Sequence, residues 1–135
     1  MTRARGRFEV TMRPLTSEGQ FDELPLSRMS IDKQFEGDLR GISKGEMLAA
    51  LTSVQGSAGY VAMERVNGSL EGRNGTFVLQ HSGTMTRGKQ QLTITVVPDS
   101  GTGDLTGLSG TMTIDVGDGN HSYEFDYVLR EVSSD

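Results

Sequence analysis

Apolar residues recur at every second position through most of this chain, and glycine-bearing dipeptides cut the alternation into short runs. From Gly59 onward, Tyr60, Ala62, Glu64 and Val66 share one face while Val61, Met63 and Arg65 share the other. Phe77, Leu79, His81 and Met85 repeat the pattern, as do Leu92, Ile94 and Val96, and then Tyr123, Phe125, Tyr127 and Leu129. Upstream, Ala4, Gly6, Phe8, Val10 and Met12 fall on one side of a first segment, and Met29, Ile31, Phe35 and Leu39 share a face with Lys33 in a second. Period two is the side-chain period of a strand with one buried face, so the chain is committed to β-structure over most of its length.

The punctuation agrees. Glycine is abundant at 18 residues and proline scarce at 3, and the glycines separate strands instead of filling one tract. Asn67-Gly68, Asn74-Gly75 and Arg87-Gly88 predict tight turns, and Gly117 to Asn120 another. Leu15 to Pro25 and Pro98 to Asp104 read as loops, with Leu105 and Leu108 expected to pin the turn that follows to the core. Ile42 to Val54 is ambiguous. Met47, Leu51 and Val54 fit a helical stripe, whereas Ile42, Leu48, Ala50, Thr52 and Val54 fit one face of a strand. The sum is about eight strands in antiparallel meander order. Closing such a sheet into a barrel removes its exposed edges, and a sandwich is the competing solution.

Composition narrows the function classes. The 135 residues suit a single domain spanning 1–135, and 13 basic against 18 acidic residues give a net charge of −5. That balance argues against nucleic acid as partner. No apolar run is long enough for a membrane helix, and Met1 to Gly6 has basic residues with no apolar stretch behind them, so a cytoplasmic location is expected. With no cysteine there is no disulfide, thiolate ligand or thiol nucleophile.

Glu64-Arg65, Gly68-Ser-Leu70, Gly72-Arg73 and Gly75-Thr-Phe77-Val-Leu79-Gln80-His81-Ser-Gly83 resemble a bacterial family known as domain of unknown function 3224. Val96-Val-Pro98-Asp-Ser100-Gly-Thr102-Gly103-Asp-Leu105 and Gly107-Leu108-Ser-Gly110 are similar to the family's second block, and Tyr123 to Leu129 to its closing strand. The resemblance implies an all-β, up-and-down antiparallel β-barrel like that of allene oxide cyclase, and therefore a strand for Ile42 to Val54. It implies no agreed activity. Related barrels include cyclases that fold flexible apolar substrates in the lumen, and many assemble, so a homo-oligomer is expected by analogy.

Glu64 and His81 are the residues with chemistry to offer. If their faces line the lumen, a carboxylate and an imidazole project from neighbouring strands into apolar surroundings, where they could move a proton or hold a carbonyl oxygen. The plainer alternative is a buried pair that ties two strands together, with Arg65, Arg73 or Gln80 in attendance. Tyr60, Tyr123 and Tyr127 could offer hydroxyls from walls otherwise built by Phe77, Leu79 and Phe125. Lys33 reads as a lysine at the barrel mouth with its ammonium in solvent, and as a Schiff-base former only if desolvated. His121, beside a turn, is expected to be exposed. The two histidines make no metal motif, Asp99 to Asp104 lacks the glutamate that would close a calcium loop, and Gly101-x-Gly103 lacks a third glycine, so neither metal nor cofactor is expected. The reading is a barrel that binds a small, mostly apolar organic molecule, through a connected cavity of about 300 Å³ or more. A metal-independent cyclase or isomerase and a non-catalytic, self-assembling module are the alternatives.

Overall fold

A computed structural model describes residues 2–15 and 26–130. The strands are β1 (Thr2–Leu15), β2 (Leu26–Gly37), β3 (Leu39–Leu51), β4 (Ala58–Leu70), β5 (Arg73–Thr86), β6 (Lys89–Val96), β7 (Leu108–Asp115) and β8 (Ser122–Leu129). Each pairs antiparallel with the next, and β1 pairs with β8, which closes an eight-stranded up-and-down barrel. Closure satisfies the backbone groups that a sandwich would leave along its edges. The loop read over Leu15 to Pro25 lies, apart from Leu15 at the end of β1, outside the described residues. No helix among the described residues is long and apolar enough to cross a membrane.

The inner faces of β1, β4, β5 and β8 are those the alternation indicates. Ala4 and Phe8, Ala62 and Val66, Phe77 and Leu79, and Tyr123, Phe125 and Tyr127 are all buried, while Val61 and Met63 lie outside. Phe77 stacks on Phe125, centroids 5.9 Å apart, and Phe125 on Tyr127 at 5.5 Å. Together with Leu70, Leu105 and Leu108 they fill the end of the barrel where the chain enters β1. Leu105 sits in a short 3-10 turn, Gly103–Leu105, and is buried as expected.

The structure corrects four local expectations. Asn67-Gly68 and Asn74-Gly75 are not turns but run inside β4 and β5, facing one another as Gly68↔Gly75. The hairpin turns at Glu71-Gly72, where φ is positive at both residues (49° and 87°), the backbone a two-residue turn needs. Gly75 is small for a different reason: a β-carbon there would lie 2.0 Å from the Thr102 carbonyl, which packs onto the strand. In β3 the alternation is inverted. Ile42 and Leu48 point outward, and Leu39, Ser43, Met47 and Ala49 face the lumen. The reason lies across the sheet, where Lys33 pairs with Ser43 and Glu64 with Gly45, so β3 turns its small residues towards two long polar side chains. Finally, Leu39 does not continue the preceding segment, because the chain reverses at Gly37 and Leu39 opens β3. His121 is half-buried, its ring 5.2 Å from that of Phe8.

Candidate functional site

Antiparallel register places Ala62 opposite His81 and Glu64 opposite Leu79, so Glu64 and His81 are diagonal neighbours on the inner faces of β4 and β5. Their exposures are 1% and 3%, and His81 Nε2 lies 2.7 Å from Glu64 Oε1. From β2, Lys33 donates to the same oxygen at 2.9 Å, and from β3 the Ser43 hydroxyl donates to Oε2 at 2.7 Å. The lysine at the mouth is therefore a correction: Lys33 is 6% exposed, its ammonium inside the barrel. The small inner residues of β3 let it reach a carboxylate two strands away. Its Nζ also lies 5.0 Å from the Phe8 ring centroid and 5.8 Å from that of Phe35, whose faces favour a cation.

Burial by itself would raise the Glu64 pKa. The hydrogen bond from His81, the charge of Lys33 and the hydrogen bond from Ser43 outweigh it and bring the group down to about 2. Glu64 is thus an anion whose charge is matched by Lys33, an arrangement that avoids leaving a net charge in the interior. Arg65, Arg73 and Gln80, the partners considered from sequence, make no hydrogen bond to it. Ser43 escapes the sequence pattern because it lies on the face of β3 opposite Ile42 and Leu48.

The imidazole continues the chain of contacts. His81 Nδ1 lies 3.2 Å from the hydroxyl of Tyr60, whose pKa is raised by burial and by the Glu64 charge. Tyr60 also lines a cavity of about 270 Å³ at the end of the barrel remote from the stacked aromatics. Met47, Ala49, Met85 and Leu92 give it a mostly apolar wall, and Gln90 and Gln91 a polar rim. Upper β6 is free to line it because β6 and β7 pair through Ile94↔Met112 and Thr95↔Thr111, further down the barrel. Leu92 is accordingly 42% exposed.

Of the residues singled out from sequence, the structure joins Tyr60, His81, Glu64 and Lys33 in one network beneath this cavity. Phe77, Leu79, Phe125 and Tyr127 lie in the packed cluster at the other end. Tyr123 has a structural duty there: its hydroxyl accepts from the Leu39 N–H at 2.8 Å and faces the Glu36 and Leu39 carbonyls at 2.9 Å. Among the described residues no group of three or more His, Cys, Asp or Glu side chains could hold a metal ion.

The family model described as Protein of unknown function (DUF3224) matches residues 4–127, which include every residue of the network. The chain belongs to the DUF3224 family. This DUF3224 protein is similar in structure to another, a protein of unknown function from Shewanella oneidensis MR-1. The two share 49% sequence identity with a TM-score of 0.91, over 98% of this chain and 99% of that one. No curated protein matches the chain.

Proposed function

We propose that this DUF3224 barrel binds a small, mostly apolar organic molecule in the cavity at its mouth, with Tyr60 as the polar anchor. One observation carries the reading: an apolar cavity meets, at a single tyrosine, a buried and fully hydrogen-bonded polar network. Binding sites for small molecules combine these two features, apolar walls for affinity and a few convergent polar groups for orientation. At about 270 Å³ the cavity falls just below the size expected from sequence, and it occupies the mouth of the barrel instead of its whole axis. A guest of modest size is implied, and its far end meets Gln90 and Gln91.

The network also supports a second reading, turnover of the same guest. A carboxylate that orients an imidazole, which in turn contacts a hydroxyl, is an arrangement suited to general acid–base chemistry. In such a step a guest proton would pass to the Tyr60 oxygen as the Tyr60 proton passes to His81 Nδ1, and the same relay run in reverse would return a proton to a second atom of the guest.

Filling the cavity tests both. Ala49 faces Tyr60 across β3 and β4, so Ala49→Trp puts an indole where the guest would lie. Native mass spectrometry of the purified wild type should show a small-molecule adduct, or take one up from a library of apolar alcohols and ketones. Ala49→Trp should show none. Equal uptake by a folded Ala49→Trp variant would put the guest elsewhere, and an empty wild type against the whole library would end the binding reading.

A further inference from the structure

We propose that the group this cavity recognises is a hydrogen-bond donor, so that its guest is an apolar alcohol or phenol and not a ketone, ester or acid. The inference rests on the binding reading above and adds to it the polarity of the recognised group.

It follows from counting protons outward from the buried carboxylate. Ionised Glu64 can only accept hydrogen bonds, and its two oxygens face Lys33, His81 and Ser43. The nitrogen 2.7 Å from Oε1, Nε2 of His81, must therefore carry a hydrogen. In the neutral imidazole that leaves Nδ1 bare, and a bare ring nitrogen only accepts. Its partner is the Tyr60 hydroxyl at 3.2 Å. A phenol owns one proton, and this one is directed at Nδ1. Towards a guest, the Tyr60 oxygen has lone pairs alone to offer.

The surroundings hold this polarity in place. The polar groups that touch His81 are Glu64 and Tyr60 from β4, and its register partners are the apolar Ala62 of β4 and Ile94 of β6; Lys33 of β2 and Ser43 of β3 act on it through Glu64. Lys33 supplies the carboxylate with a positive charge at 2.9 Å. Gln90, Gln91 and Thr84 at the rim carry donors or acceptors of both kinds and impose no choice. The choice is made by Tyr60. A guest hydroxyl can donate to its oxygen, whereas a guest carbonyl would set lone pairs against lone pairs.

A matched pair of probes, 1-indanol and 1-indanone, differs in this property and little in shape. Both are titrated by NMR at pH 8 into the wild type and into Tyr60→Phe. Indanol should bind the wild type about tenfold more tightly than indanone, the effect of one buried hydrogen bond. In Tyr60→Phe that preference should vanish while indanone affinity stays within about threefold of wild type. Nitrogen-15 shifts of His81 should place the proton on Nε2 and leave Nδ1 bare, a readout that stands even if the variant does not fold. Indanone binding as tightly as indanol, a preference that survives in Tyr60→Phe, or a protonated Nδ1 each overturns the proposal and leaves the binding reading intact. If neither probe binds at millimolar concentration, the binding reading falls and this inference falls with it.

Discussion

Tyr60 lies against Gly83 on the neighbouring strand, so closely that a β-carbon at Gly83 would sit 2.5 Å from its Cε1. The missing side chain is what allows the ring to approach β5 and bring its hydroxyl to His81, two positions before Gly83 on the same inner face. Gly83→Ala should push the ring off the strand and break the contact with Nδ1. Overpacking of this kind costs about 1–3 kcal/mol, part of which is returned because alanine disfavours the unfolded chain. A loss of about 1 kcal/mol in the unfolding free energy from urea titration, with a shift of the Tyr60 ring resonances, is the expected outcome. Unchanged ring resonances would mean that the glycine does not set the position of Tyr60.

Lys33 and Glu64 should be strongly coupled. Removing one partner of a buried ion pair leaves an uncompensated charge, which typically costs about 3–5 kcal/mol. Lys33→Met and Glu64→Gln should each show losses of that order in chemical denaturation. The double variant keeps a hydrogen-bonding amide beside His81 and Ser43 without any buried charge, so it should lose less than the two singles together by about 1–3 kcal/mol. Strict additivity would show that the ammonium and the carboxylate do not depend on each other.

The distance between sequence and site is instructive here. Period two tells which face of a strand is inward, and it placed Tyr60, Glu64, Phe77 and His81 inside. It holds even though Asn67-Gly68 and Asn74-Gly75 are not turns and the chain turns once, at Glu71-Gly72: Glu64 still shares the inner face with Leu79 and His81. Alternation does not tell how far along the barrel axis a residue sits. That coordinate separates Tyr60, at the mouth, from Phe77 and Phe125, stacked at the closed end.

Register across non-adjacent strands is equally invisible to alternation. Lys33 finds Glu64 over the top of β3, and nothing local to either residue says so. In β3 the local signal points the wrong way over its middle, where Ile42 and Leu48 lie outward while Ser43 and Gly45 lie inward, although hydrophobicity alone would bury the two aliphatic residues. The demand of two charged side chains for room won over the burial of two aliphatic ones.

Acid should test Glu64 directly. Its pKa falls from the usual carboxylate value near 4.5 to about 2 on folding, so below that usual value the unfolded chain binds a proton that the folded barrel does not. The stabilisation is complete above about pH 5 and is lost as pH falls towards 2. Urea midpoints measured between pH 7 and pH 3 should drop more steeply for the wild type than for Glu64→Gln, whose amide does not titrate. Parallel curves would show that Glu64 is not held as an anion in the folded state.

Alkali acts on Tyr127 with the opposite sign. Burial, and then the hydrogen bond its hydroxyl donates to Glu71 at 2.6 Å, push its pKa up to about 12. In the unfolded chain a tyrosine ionises near pH 10. Below that value both states hold the proton and stability is unaffected. Between about pH 10 and 12 the unfolded chain releases its proton and the barrel does not, so stability is lost as pH rises through this window. Tyr127→Phe should flatten that loss. At neutral pH it should cost about 1–3 kcal/mol for the hydrogen bond to the Glu71 carboxylate, a contact that fastens β8 to the β4–β5 turn. The melting temperature at pH 7 and at pH 11, compared for the two proteins, separates the effects: the variant starts lower and falls less. A variant that falls as far as the wild type would show that Tyr127 ionises as easily in the barrel as out of it.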